Sequence, residues 1–192
     1  RAADGLLTLN NEYDQVPSGG YGCTDELPAA DFAERDHVLG RDLWCHISAQ
    51  ETVGISPAMY GEFVYPYYCE IAERVGSVSY ACCEPVDKMW EGYLQHLPNL
   101  RAVGVTRWCD EDVMGEALRG RRFIYTRKPD PTFIGTGDFD AQAFGEHITR
   151  TLTAARGCHV QFVYRDVYTL CGERDRARKA VQVIRDMIDK HG

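Results

Sequence analysis

Short apolar runs alternate with longer amphipathic stretches along this chain, and that alternation constrains its fold more than any other feature. The runs lie at 6–9, 43–47, 78–82, 102–106, 123–126 and 160–164. Each is rich in β-branched or aromatic residues, and the clearest are apolar on both faces, as strands buried in parallel sheets are. Helical patterns fill the intervals. The stretch 57–75 opens on Ser56 as N-cap and Pro57 as first helical residue, and Gly76 follows it. Patterns over 87–97 and 112–118 stop near Pro98 and Gly120, and one over 139–156 stops at Gly157. The last, 173–190, places Val181, Ile184 and Ile188 on one face.

Strands and helices alternating across connections of a few residues predict βα units around a parallel sheet. The 192 residues accommodate about five to six such units, whereas a closed eightfold barrel takes about 250 residues. The expected fold is therefore α/β: either an open parallel sheet or an incomplete (β/α) barrel of the TIM type lacking its N-terminal units. The chain has no internal repeat, low-complexity tract or linker, so a single domain over 1–192 is expected. The segment 10–41, rich in Gly, Asp and Pro, reads as a long loop on the ligand-binding face.

Charge and composition remove several functions. With 21 Lys and Arg against 29 Asp and Glu, the net charge is −8, which disfavours nucleic acid or an anionic membrane as partner. No apolar run nears the roughly 20 residues that span a bilayer, and no charged-then-apolar leader is visible. A cytoplasmic protein is expected. Eight cysteines without a CxxC pair fit reduced, buried thiols in a chain long enough for an ordinary core.

Chemistry in parallel α/β folds gathers at the C-terminal ends of strands. Just past the successive runs stand Ser48, Gln50 and Glu51; Cys82, Cys83 and Glu84; Arg107, Trp108 and Cys109; Arg127 and Lys128; and Asp166, Tyr168 and Cys171. Arg127 is a candidate clamp for a substrate carboxylate, or half of a surface pair feeding the turn that Pro129 and Pro131 stiffen. Cys82 and Cys171 are candidate metal ligands, since two thiolates and an N or O donor make a zinc site with one open position. Buried thiols are the competing reading. His46, inside a strand, is open to both core packing and ligation. The chain contains no GxGxxG, P-loop, HExxH or GxSxG motif.

Three stretches also carry a resemblance. Residues 48–57 (Ser-Ala-Gln-Glu-Thr-Val-Gly-Ile-Ser-Pro) and the helix after them resemble a helix entry of the uroporphyrinogen decarboxylase superfamily. Tyr80-Ala81-Cys82-Cys83-Glu84-Pro85 stands where corrinoid-linked methyltransferases of that superfamily carry His-x-Cys. Leu170-Cys171-Gly172 resembles their second cysteine site. The resemblance spans roughly 42–190 and implies a barrel whose first units are absent. It implies zinc held by Cys82 and Cys171, a corrinoid carried by a partner protein, and methyl transfer to or from a small substrate or thiol. Tyr80 replaces the motif histidine. Glu51, Glu84 and Arg127 are then expected near the substrate. A metal-free tetrapyrrole decarboxylase and a catalytically silent binding barrel are the alternatives. Unpaired edges left by missing strands predict self-association or excision from a longer protein.

Overall fold

The computed structural model describes residues 26–48, 50–80 and 83–192. The expected strand 6–9, the loop portion 10–25 and Cys82 lie outside the described residues. The fold is α/β. Among the described residues five strands, β1 (Trp44–Ile47), β2 (Ser77–Tyr80), β3 (Leu100–Val105), β4 (Ile124–Arg127) and β5 (His159–Phe162), form one parallel sheet in the order of the chain. All five described strands fall within two residues of an expected run. The chain divides into two compact units, Arg1–Gly104 and Val105–Gly192.

In the first unit, β1 pairs in parallel with β2, Trp44 opposite Ser77 and Ile47 opposite Tyr80. β2 pairs with β3, with a register shift between Val78 and Ser79. The predicted helix over 57–75 is two helices, α1 (Pro57–Phe63) and α2 (Tyr65–Ala72). Pro66 explains the break. It has no N–H to offer the carbonyl four residues back, and its ring disfavours helical backbone before it. Ser56 caps α1 as expected, its Oγ accepting from the Met59 N–H at 3.2 Å. The expected helix over 87–97 is α3 (Asp87–Trp90) and a 3-10 turn, Leu94–His96. Asn99, at φ 55°, donates to the Ala72 and Val75 carbonyls at 3.0 and 2.8 Å. It thereby ties the end of α2 to the start of β3, and asparagine tolerates that left-handed backbone.

The loop ahead of β1 is organised by Asp42, whose carboxylate is fully shielded from solvent. It accepts both terminal nitrogens of Arg35, at 2.6 and 2.7 Å, and the N–H groups of Ala29 and Leu39. Arg35 leads the causes that hold its carboxyl down to about 2, against the opposing effect of burial.

In the second unit, β4 pairs with β5 in parallel, Ile124 opposite His159 and Arg127 opposite Phe162. The ladder continues past both strands, because Lys128 donates to the Val105 carbonyl and Val163 to the Arg127 carbonyl. The helices are α4 (Glu111–Leu118), α5 (Thr132–Gly135), α6 (Ala141–Ala154) and α7 (Arg176–His191). Asp110 and Asp140 cap α4 and α6, each accepting two backbone N–H groups. Ile134, Phe144, Ile148, Leu152, Ala180 and Ile184 form a core between α5, α6 and α7, with Phe162 and Tyr164 packed against it. Gly115 lets α4 approach the end of α6, since a Cβ there would lie 2.0 Å from the Ala154 carbonyl oxygen.

Candidate functional site

Successive residues of a strand point to opposite faces, and in the second unit this separates two kinds of chemistry. Tyr125 and Arg127 of β4, with Phe162 and Tyr164 of β5 and its continuation, face the helices. The Tyr125 hydroxyl reaches the Glu111 carbonyl in α4, and Arg127 reaches Thr151 in α6. Thr126 and Lys128 therefore lie on the other face, beside Gln161, whose Oε1 accepts from the Thr126 hydroxyl at 3.3 Å. Thr126 and Lys128 are both buried. Within this unit one face of the sheet is packed under helices, whereas the other carries the polar residues Thr126, Lys128 and Gln161 toward the strands' C-terminal ends.

The alternation decides which way Arg127 points. Its side chain turns toward the helices, where Nε donates to the Thr151 hydroxyl at 3.2 Å. Nη1 donates to the Val105 and Thr106 carbonyls, at 3.2 and 2.8 Å, and Nη2 to Glu111 Oε1 at 2.6 Å. Thr151 donates in turn to Glu111 Oε2 at 2.6 Å, closing a ring of three side chains. Arg127 is 1% exposed, and its guanidinium is committed to the protein. The next residue, Lys128, lies on the other face, as the period of two requires. The sequence signal was present in that period.

Two further groups stand at the same strand ends. Asp130 Oδ1 accepts the Thr132 N–H at 2.9 Å, its hydroxyl at 2.7 Å and Arg107 Nη1 at 2.9 Å. Burial opposes the Asp130 charge, but the Thr132 hydrogen bonds and Arg107 outweigh it and hold the carboxyl below its ordinary range. His147 of α6 stacks on Phe133 with centroids 4.8 Å apart, and its Nε2 accepts the Asp130 N–H at 3.4 Å. Burial, aided by the Arg127 charge, pushes the imidazole below its usual value. His147 stands 17 residues from Asp130, too far for any local motif to flag the pair.

In the first unit, Glu51 lies in a 3-10 turn after β1, exposed, and Glu84 follows β2, 4% exposed. The structure brings both to one side chain. Burial is the leading cause that raises the Tyr68 phenol, and the charges of Glu51 and Glu84 reinforce it. The Tyr68 hydroxyl donates to the Ser48 carbonyl at 2.6 Å. Tyr80, at the position where the resemblance leads one to expect histidine, is buried. It accepts a hydrogen bond from the Tyr60 hydroxyl at 3.2 Å, and its ring meets Tyr68 at 6.1 Å. Burial drives the Tyr80 phenol far upward and the Tyr60 phenol up to about 12. On the opposite face of this sheet pair, His46 stands in register with Ser79.

Cys171 is exposed at φ 52°, with its N–H bonded to the Thr169 hydroxyl. The helix it was expected to abut begins later, at Arg176. Among the described residues no three His, Cys, Asp or Glu side chains gather as a metal-holding group. Cys82 lies outside those residues, so the expected zinc rests on Cys171 alone. Among the described residues no helix is long and apolar enough to cross a membrane.

No protein-family model matches this chain, and no curated protein matches it.

Proposed function

We propose that this chain forms part of a βα barrel related to the uroporphyrinogen decarboxylase superfamily, acting on a carboxylated tetrapyrrole. The observation that carries the proposal is the second unit's two-faced sheet: helices on one side, and Thr126, Lys128 and Gln161 on the other. A doubly wound sheet has helices on both faces and a reversal in strand order. Strands following the order of the chain favour the barrel, whose inner face binds substrate at its C-terminal rim.

Lys128 supplies positive charge on that face. Its ammonium attracts a carboxylate and steadies negative charge developing there, more strongly in a water-poor site than in bulk. Thr126 and Gln161 fix the surrounding hydrogen-bond directions. The methyltransferase branch of the reading would require zinc on Cys82 and Cys171, and no step is drawn through it because the described donors do not complete that set.

The test is an absorbance titration of the purified chain with a carboxylated porphyrin, and separately with a methylated corrinoid. Saturable porphyrin binding that weakens about tenfold in Lys128→Gln supports the proposal. Binding indifferent to Lys128→Gln and Thr126→Val overturns it. Elemental analysis decides the branch: near one zinc per chain, lost in Cys171→Ser, favours methyl transfer over decarboxylation.

A further inference from the structure

A cavity of about 400 Å³ opens beside the ends of β3 and β4 on the helix-bearing side of the sheet, away from the polar face discussed above. Its volume lies in the range of small-molecule sites. Four carboxylates and three arginines line it, and each carboxylate has a local partner or field that holds it. Asp110 Oδ1 is occupied by the Asp112 and Val113 N–H groups at the start of α4. Glu111 holds Arg127 and the Thr151 hydroxyl, which also accounts for the Arg127 charge. Asp112 stands exposed in the first turn of α4, where the helix dipole favours a carboxylate.

Two cations remain. Arg150 of α6 has no carboxylate partner among the described residues, and its charge is felt at His147. Arg107 has a partner it can leave. Its guanidinium is more than a third exposed and bonds to Asp130 Oδ1, an atom already supplied by both donors of Thr132. If Arg107 turns, Asp130 keeps two hydrogen bonds. The guanidinium also lies over the Trp108 ring, 4.6 Å from its centroid, and Trp108 is 62% exposed. Stacking holds the plane of an arginine while leaving its N–H edge available, the arrangement that suits bidentate recognition of an oxyanion.

The geometry points to an oxyanion site in this cavity: Arg107 and Arg150 bind a small phosphate- or carboxylate-bearing molecule, with Trp108 orienting Arg107. The site is independent of the barrel reading, because it uses the opposite side of the sheet. Its occupant differs from a porphyrin in size, being held by two arginines in a cavity of small-molecule dimensions. On binding, the Arg107–Asp130 pair exchanges for an Arg107–ligand pair. The pair is partly exposed, so its loss is modest and is offset by the charge-assisted bonds the ligand oxyanion makes to Arg107 and Arg150.

Isothermal titration of the full chain with inorganic phosphate, and separately with succinate, tests this. Saturable binding of either probe is expected, the tighter one identifying the oxyanion, with a weakening of about tenfold or more in the Arg107→Gln, Arg150→Gln double variant. Arg178→Gln, an exposed arginine on α7, leaves binding unchanged. Arg150→Gln alone breaks no ion pair among the described residues and supplies a second reading should the double variant lose its fold. The proposal is overturned if neither probe gives saturable heat up to about 10 mM, or if binding survives with Arg150→Gln as strong as before.

Discussion

Removing the Glu111 carboxylate tests whether the buried ring around Arg127 holds the second unit together. In Glu111→Ala, Arg127 keeps its bonds to Val105, Thr106 and Thr151 but loses its one anionic partner among the described residues. The guanidinium side chain is 2% exposed, so water cannot replace the carboxylate without local opening. Thr151 loses the acceptor of its 2.6 Å bond in the same substitution. Breaking a buried pair by removing one partner costs about 3–5 kcal/mol, and for a chain of this size the melting point falls by roughly 10 °C. Urea unfolding followed by circular dichroism should show a lower midpoint with an unchanged slope. Thr151→Val, which spares the ion pair, should cost about 1 kcal/mol. A loss under about 1 kcal/mol in Glu111→Ala would refute the reasoning, because it would mean that the buried charge finds water readily.

Three other substitutions probe separate points. Asp42 has its carboxyl depressed to about 2, so it contributes stability that is complete above its unfolded value near 4 and disappears as pH falls through 2. Roughly 2 kcal/mol is linked this way, and Asp42→Asn should flatten the acid limb of a stability-against-pH profile; an unaltered limb would contradict the linkage. Gly115→Ala drives a methyl into the Ala154 carbonyl, and should cost about 2 kcal/mol despite alanine's better helix propensity, as read from a urea midpoint. A neutral or stabilising result there would show that α4 moves aside freely. Asp140→Ala removes the acceptor of the Gln142 and Ala143 N–H groups and should cost about 1 kcal/mol in the same measurement.

Where the chain carries local instructions, the sequence was legible. Ser56 and Pro57 announced α1, and each described strand lay in a run of β-branched or aromatic residues. Boundaries written by absent hydrogen bonds were harder. Pro66 splits one apolar period into α1 and α2 without disturbing the pattern of hydrophobic residues around it. The site was legible only as a collection of strand ends. Glu51 and Glu84 meet at Tyr68 through a fold that brings the ends of β1 and β2 together, and nothing in a separation of 33 residues encodes it. The internal partners of Arg127 were not legible because its charge drew attention away from its parity. In a strand a charged residue facing helices must be satisfied internally, and Val105, Thr106, Glu111 and Thr151 supply that satisfaction from three separate segments. Asp130 and His147 were missed for the complementary reason: their pairing depends on α6 crossing the end of β4.

The two sides of β4 have a consequence for how such a chain can change over generations. Arg127 and Lys128 are adjacent and equal in charge, yet one is enclosed by acceptors and the other stands on the polar face. Point substitution can tune either one alone. Insertion or deletion of a single residue in the strand cannot, because it exchanges the two tracks. A lysine would then enter a ring shaped for a planar fork, and an arginine would cross to the opposite face. Length in this segment should therefore be held more strictly than composition, with tolerated indels displaced into the turn beyond Lys128.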